Sequence, residues 1–145
     1  MVKLVFLTEK FYETYSKCPE IEQKPYRPYI RIGVLLDGIL WAVPMRSNIN
    51  HENVIWTDKA NSCGIDFSKA VAITNPDDYI SNVKPYLRHA EFEALKTINP
   101  HTIEQKLRAY IKKYKKAKQH MDVRRNRNTV QFSTLQYFES YIQNL

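Results

Sequence analysis

Tyr29-Ile30-Arg31-Ile32-Gly33-Val34-Leu35-Leu36-Asp37-Gly38-Ile39-Leu40-Trp41-Ala42-Val43-Pro44-Met45 is the stretch whose reading decides the fold. Two runs rich in β formers flank Asp37-Gly38, a dipeptide suited to the two-residue turn of an antiparallel hairpin. The reading is a strand over residues 29–36, a reversal, and a returning strand over residues 39–45 with Pro44 near its end. Toward the N-terminus, residues 2–7 are a short apolar run read as a strand. Thr8 then has the chemistry of a helix N-cap, followed by Phe11, Tyr12 and Tyr15 at helical spacing. Residues 18–28 carry three prolines and read as a loop. On the other side of the hairpin, strands are expected over residues 54–57 and 69–74. Residues 58–63 read as a polar turn, broken by Gly64, and Asn75-Pro76-Asp77-Asp78 is turn chemistry. The first half is therefore an antiparallel β unit with an early helix inserted.

After Pro85 the apolar period changes from 2 to 3.6. A helix is predicted over residues 88–98. Asn99 caps the next helix, and Pro100 takes its favoured first position. Ile103, Leu107, Tyr110, Ile111 and Tyr114 form that helix's apolar stripe. Residues 123–128 read as a basic break. A last helix is expected from Phe132 or Ser133, carrying Leu135, Phe138 and Ile142. With 145 residues in all, one α+β domain over 1–145 accommodates both halves better than two domains.

A hydrophobic fraction of 43% and a charged fraction of 26% place the chain among folding rather than disordered sequences. A formal net charge of +7 favours polyanionic partners. Cys18 and Cys63 match no zinc or redox spacing, so reduced thiols are expected. The segment 1–7 is too short for a signal peptide, and no apolar run reaches membrane-spanning length. A cytoplasmic protein without a membrane partner is the expectation.

Three segments carry candidate chemistry. Between Lys106 and Arg127 there are ten Lys/Arg and a single acidic residue, Asp122. Lys112, Lys113, Lys115, Lys116 and Lys118 flank the Tyr110 and Tyr114 stripe, and Arg124, Arg125 and Arg127 follow. Cations at this density neutralise phosphates and release counterions, and arginine grips phosphate in bidentate fashion. A solvated helix face is the other reading, but the run lacks acidic partners four residues away. The second segment, 43–51, leaves a strand and holds Arg46, Ser47, Asn48, Asn50 and His51. Cleaving a phosphodiester without a metal needs a base for the attacking hydroxyl, a group that holds the phosphoryl oxygens and an acid for the leaving oxygen. Arg46 suits the phosphate, Ser47 a hydrogen bond to it, His51 proton transfer, and Asn48 contact with RNA; the bland reading is a polar loop in which His51 caps a turn. The third, 63–71, holds Gly64, Asp66, Ser68 and Lys69. Asp66 and Ser68 read as turn formers, and Lys69 opens the next strand, either in the same cleft as Arg46 or as a surface charge. His51, His89, His101 and His120 form no metal-binding pair. With only three glycines there is no glycine-rich phosphate loop, so no metal and no cofactor are expected.

The runs Arg31-Ile32-Gly33-Val34-Leu35-Leu36, Ala42-Val43-Pro44-Met45-Arg46-Ser47 and Asn50-His51 resemble the core of type III toxin–antitoxin toxins. The run Cys63-Gly64-Ile65-Asp66-Phe67-Ser68-Lys69-Ala70-Val71 and the ending Phe132-Ser133-Thr134-Leu135-Gln136-Tyr137-Phe138 are similar to the TenpN branch of the ToxN, AbiQ and CptN family. The likeness covers nearly the whole chain and lies in the order and spacing of short motifs. It implies a compact, highly curved antiparallel sheet of the MazF/Kid barrel kind, surrounded by helices. It also implies metal-independent RNA cleavage to 2′,3′-cyclic phosphate and 5′-hydroxyl ends. The implied partners are a small, structured, repeat-encoded antitoxin RNA, which the toxin processes and with which it forms a closed hetero-oligomer, and cellular or phage RNA as substrate. Phage defence by abortive infection or plasmid maintenance is the implied role.

Carried over residue by residue, the family's strand-end Thr, Ser and Lys fall on Arg46, Ser47 and Ile49. Ser47 is retained. Ile49 stands where the family has its lysine, which leaves that cation to Arg46, Lys69 or His51. The family's first-helix tyrosine falls on Phe11, with Tyr12 next to it, and its lysine before the second strand falls near Tyr29, with Arg27 and Arg31 close by. The resemblance thus gives Arg46, Ser47, His51, Lys69 and Tyr12 as catalytic candidates and adds Arg27 and Arg31 to the RNA contacts. The alternatives are a non-catalytic basic nucleic-acid-binding module and a basic protein that docks on an acidic partner.

Overall fold

The computed structural model describes residues 2–22 and 30–145. At its centre is the hairpin of β2 (Arg31–Leu36) and β3 (Ile39–Arg46). Asp37 and Gly38 both have positive φ, 48° and 86°, as in the mirror-image turn that matches the right-handed twist of paired strands. The register runs from Leu36 opposite Ile39 to Arg31 opposite Pro44. Ile32, Val34 and Leu36 alternate into the core, while Leu35 between them is 65% exposed. On β3, Trp41, Ala42 and Val43 are buried in succession. Neighbouring strand residues point to opposite faces, so both faces of β3 are covered here.

Beyond β2 lies β1 (Lys3–Val5). Along the other edge of β3, two strands follow one another. β6 (Val71–Ile73) pairs with Leu40, Trp41 and Ala42, and β5 (Cys63–Asp66) pairs with Met45 and Arg46. Val43 and Pro44 lie between these two ladders, so Pro44, which has no N–H to donate, sits where pairing is interrupted. Opposite that gap the chain leaves the sheet as a single 3-10 turn, Phe67–Lys69. β4 (Val54–Asp58) completes the sheet beside β5, with a bulge between Trp56 and Asp58. The six strands are antiparallel, in the order β1-β2-β3-β5-β4 with β6 joined to β3. Among the described residues β1 and β4 remain edges and the sheet is not closed into a barrel.

Five α-helices accompany the sheet among the described residues: α1 (Glu9–Thr14), α2 (Pro76–Tyr79), α3 (His89–Lys96), α4 (Pro100–Gln119) and α5 (Arg124–Gln131). The Thr8 hydroxyl accepts from the Phe11 N–H at the start of α1, and the Asn99 side chain accepts from the His101 N–H at the start of α4. The predicted stripe Ile103, Leu107, Tyr110, Ile111 and Tyr114 is buried, extended by Ala117. It joins Phe11, Trp41, Phe67 and Phe138 in one hydrophobic cluster. No helix among the described residues is long and apolar enough to cross a membrane.

Several elements differ from the sequence expectation. Cys63–Asp66 is a strand rather than the aftermath of a broken turn. Gly64 is inside it, because a Cβ there would meet the Ile55 carbonyl oxygen, and Val54 Cγ2 at 2.8 Å. Residues 123–128, read as a break, begin α5. This helix lacks an apolar stripe and buries only Val130. Its first turn is fixed instead by side chains: Asn126 donates to the His120 carbonyl at 2.9 Å, and Arg127 to the carbonyls of Met121 and Asp122. The expected last helix is two 3-10 turns, Thr134–Tyr137 and Glu139–Tyr141. Leu135, Phe138 and Ile142 are all buried, but a spacing of three and four serves tight turns as well as an α-helix. The strand expected over 69–74 is confined to Val71–Ile73, since Lys69 belongs to the turn before it. The expected turn at 75–78 contributes to α2.

Gly64→Ala is expected to destabilise the fold by about 1–3 kcal/mol, because the obstructing atom is backbone rather than a movable side-chain end. Urea denaturation measures this, and an unchanged midpoint would contradict the close approach of β4 and β5.

Candidate active site

Asp66 ends β5 and is fully buried. Its position follows from the strand break: the carboxylate turns back to cap the Phe67–Lys69 turn. Oδ1 accepts from the Ser68 N–H at 2.9 Å and the Ser68 hydroxyl at 2.6 Å. The His51 Nε2 lies 3.1 Å from the same oxygen and 3.2 Å from Ser68 Oγ. Oδ2 accepts from Arg46 Nη1 at 2.6 Å. Burial pulls the Asp66 carboxyl upward. The His51, Ser68 and Arg46 hydrogen bonds outweigh this and hold it below the ordinary aspartate range.

The tautomer of His51 follows from its partners. The Asn53 backbone N–H donates to Nδ1 at 3.1 Å, so the ring proton is on Nε2 and is directed at Asp66. Both ring nitrogens are thereby engaged, although the side chain remains 29% exposed.

That exposed part of His51 lines a cleft of about 800 Å³ between the 50–53 loop, the C-terminal half of α4, and α5. Lys113, Lys116 and His120 reach it from α4 and its C-cap, and Arg125, Asn128 and Phe132 from α5 and the residue after it. Lys113 donates to Glu52 at 2.8 Å and Asn53 at 3.0 Å, fastening the helix to the loop that carries His51. The Lys113 hydrogen bond and charge hold the Glu52 carboxyl low. Lys116 and Arg125 make no hydrogen bond or salt bridge among the described residues. At the floor, burial pushes the Tyr110 hydroxyl upward, and it donates to Ser133 Oγ at 2.7 Å.

The residues predicted from sequence divide among several places. Arg46 and His51 come together, through Asp66. Lys113, Lys116 and Arg125 join His51 in the large cleft. Lys69 and Arg46 line a separate small cleft with Arg31, Glu20 and Glu22. There the Lys69 ammonium is taken by Glu20 at 2.8 Å and the Phe132 carbonyl at 2.7 Å. Arg31 is 2% exposed and directs Nη1 toward the Lys69 carbonyl. Ser47 is exposed beside a third cleft, between β3, β5 and the start of α3. Tyr12 is buried, in edge contact with Phe11. Asn48 is exposed with a φ of 56°. The lysines do not share one face: Lys115 reaches the carbonyls of Gln143 and Leu145, and Lys118 pairs with Glu139. Lys112 and Arg124 are exposed, outside the cleft lining, and Arg127 closes the turn between α4 and α5. Arg27 lies outside the described residues.

Asp66 and Ser68 are the site residues that sequence reasoning read only as turn formers. The available signal was their position: a carboxylate and a hydroxyl two residues apart, in a run where a strand is interrupted.

Asp66→Asn is expected to destabilise the protein by roughly 1.5–3 kcal/mol at neutral pH, the range for hydrogen bonds to a charged group. A carboxyl held below its unfolded value adds stability above that value and loses it as pH falls through the folded value. The gap between wild type and variant should therefore close as pH drops below about 4. Thermal melts across the acid range test this, and a gap independent of pH would contradict the assignment.

Compared with protein-family models, curated proteins and solved structures, the chain matches none, so its functional reading rests on the cleft's chemistry and on the short motifs of the sequence.

Proposed function

We propose that this protein is a metal-independent endoribonuclease of the type III toxin–antitoxin kind, inhibited by a repeat-encoded antitoxin RNA that it processes. One observation carries the nuclease part: the cleft of about 800 Å³ in which imidazole and unneutralised cations meet. A phosphodiester in this cleft has Lys116 and Arg125 for its phosphoryl oxygens and an imidazole near the attacking hydroxyl. Arg46 acts through Asp66 and is a positioning residue. Lys69 likewise fixes the turn that carries Ser68 by gripping the Phe132 carbonyl. The antitoxin RNA, the closed hetero-oligomer and the phage-defence role rest on the motif resemblance. So does kinship to MazF/Kid-like barrels.

A second reading, a non-catalytic RNA-binding module, is favoured by one feature: both ring nitrogens of His51 are already engaged. Incubating purified protein with total RNA in EDTA separates the two. Cleavage is expected, with 5′ ends that a kinase labels without prior phosphatase treatment. RNA bound but left intact would decide for the module. In cells, Arg46→Ala and His51→Ala are each expected to relieve growth arrest, and full toxicity of both variants would refute the assigned site. Lys116→Ala and Arg125→Ala should each lower the salt slope of RNA binding by about 1. Tandem short repeats followed by a terminator upstream of the gene are the expected source of the antitoxin RNA.

A further inference from the structure

We propose that His120, rather than His51, is the proton-transferring imidazole of the cleft, an inference that rests on the endoribonuclease reading above. Of the four histidines, only His51 and His120 line the large cleft. His101 faces Glu104 within its own helix, and His89 opens α3. His51 is committed at both nitrogens, its Nε2 proton to Asp66 and its Nδ1 to the Asn53 N–H. The His120 ring is exposed and makes no hydrogen bond or ion pair among the described residues.

What is fixed at His120 is its backbone. Its N–H donates to the Ala117 carbonyl at 3.1 Å, and its carbonyl accepts from the Val123 N–H at 3.2 Å and the Asn126 amide at 2.9 Å. Arg127 ties down the next two carbonyls. The backbone fixes where the ring starts, and the ring itself has no other partner to give up before it takes a proton. Lys116, one turn earlier on α4, and Arg125 on α5 put cations in the same cleft.

In the step so assigned, the neutral His120 ring takes the proton of a ribose 2′-hydroxyl as that oxygen bonds to phosphorus. The bond from phosphorus to the 5′ oxygen breaks, the leaving oxygen takes a proton from water, and the imidazolium returns its proton to solvent. The products are a 2′,3′-cyclic phosphate and a 5′-hydroxyl, with no further reactant. The charged and titratable groups lining the cleft around this ring are Tyr110, Lys113 and Lys116 from α4, Arg125 from α5, and Glu52 and His51 from the loop, with Asp66 behind His51.

The test is single-turnover cleavage of a mixed-sequence single-stranded RNA, from about pH 5 to pH 9, by wild type, His120→Ala and His120→Gln. The wild-type rate should rise with pH across this span, as a base that must be deprotonated requires. Both variants should lose about 100-fold or more and that rising limb, and added imidazole should restore part of the rate to His120→Ala. Thermal melts should match wild type, since the residue is exposed and its ring makes no hydrogen bond or ion pair among the described residues. Cleavage by the variants at the wild-type rate and pH profile overturns the inference alone, as does a rate loss with unchanged profile and no imidazole rescue. Absence of cleavage by wild type overturns the endoribonuclease reading, and this inference with it.

Discussion

A fully buried carboxylate organises this molecule. Asp66 has left water entirely, and an ion in that position persists only where donors replace its hydration. Three separate parts of the chain supply them: Arg46 from the end of β3, His51 from the loop that follows, and Ser68 from the turn the carboxylate itself caps. Each donor is held in one geometry because the acceptor cannot turn to water instead. The end of the hairpin, the 50–53 loop and the break between β5 and β6 are thus mutually fixed through one side chain. The large cleft inherits its inner wall from that fixed point.

The outer wall comes from elsewhere in the sequence. α4 buries one stripe against the sheet and turns Lys113, Lys116 and His120 toward the loop. Two other lysines of the run, Lys115 and Lys118, are used locally on the C-terminal segment. A basic run that looks uniform in sequence therefore does two jobs, fastening the C-terminal turns and lining a cleft with cations. Net charge alone does not separate these uses, because the difference lies in which helix face meets which neighbour.

Much of the fold was legible. Asp37-Gly38 between apolar runs determined the hairpin, and the stripe from Ile103 to Tyr114 determined α4, because in both cases local chemistry and burial agree. β5 was illegible, since Gly64 reads as a breaker and its real purpose, close approach to β4, depends on a partner strand. α5 was illegible because it is stabilised by Asn126 and Arg127 bonding backward rather than by an apolar face. At the site, His51 and Arg46 were legible as polar residues leaving a strand. Asp66 and Ser68 were visible only as turn formers, because their other contacts come from residues 15 to 20 positions away. His120 carried no sequence signal at all: a lone histidine at a helix end gains meaning only when another element faces it.

The two walls also differ in how much chain their contacts span. The hairpin closes over two residues, and Asp66 finds Arg46 and His51 within a short loop. By contrast, Lys113 meets Glu52 across 61 positions, and Lys69 meets the Phe132 carbonyl across 63. Long loop closures are entropically late events in folding. The cleft therefore joins one wall whose Asp66 contacts lie 15 and 20 positions apart in the chain to another tied to it by contacts 61 and 63 positions apart.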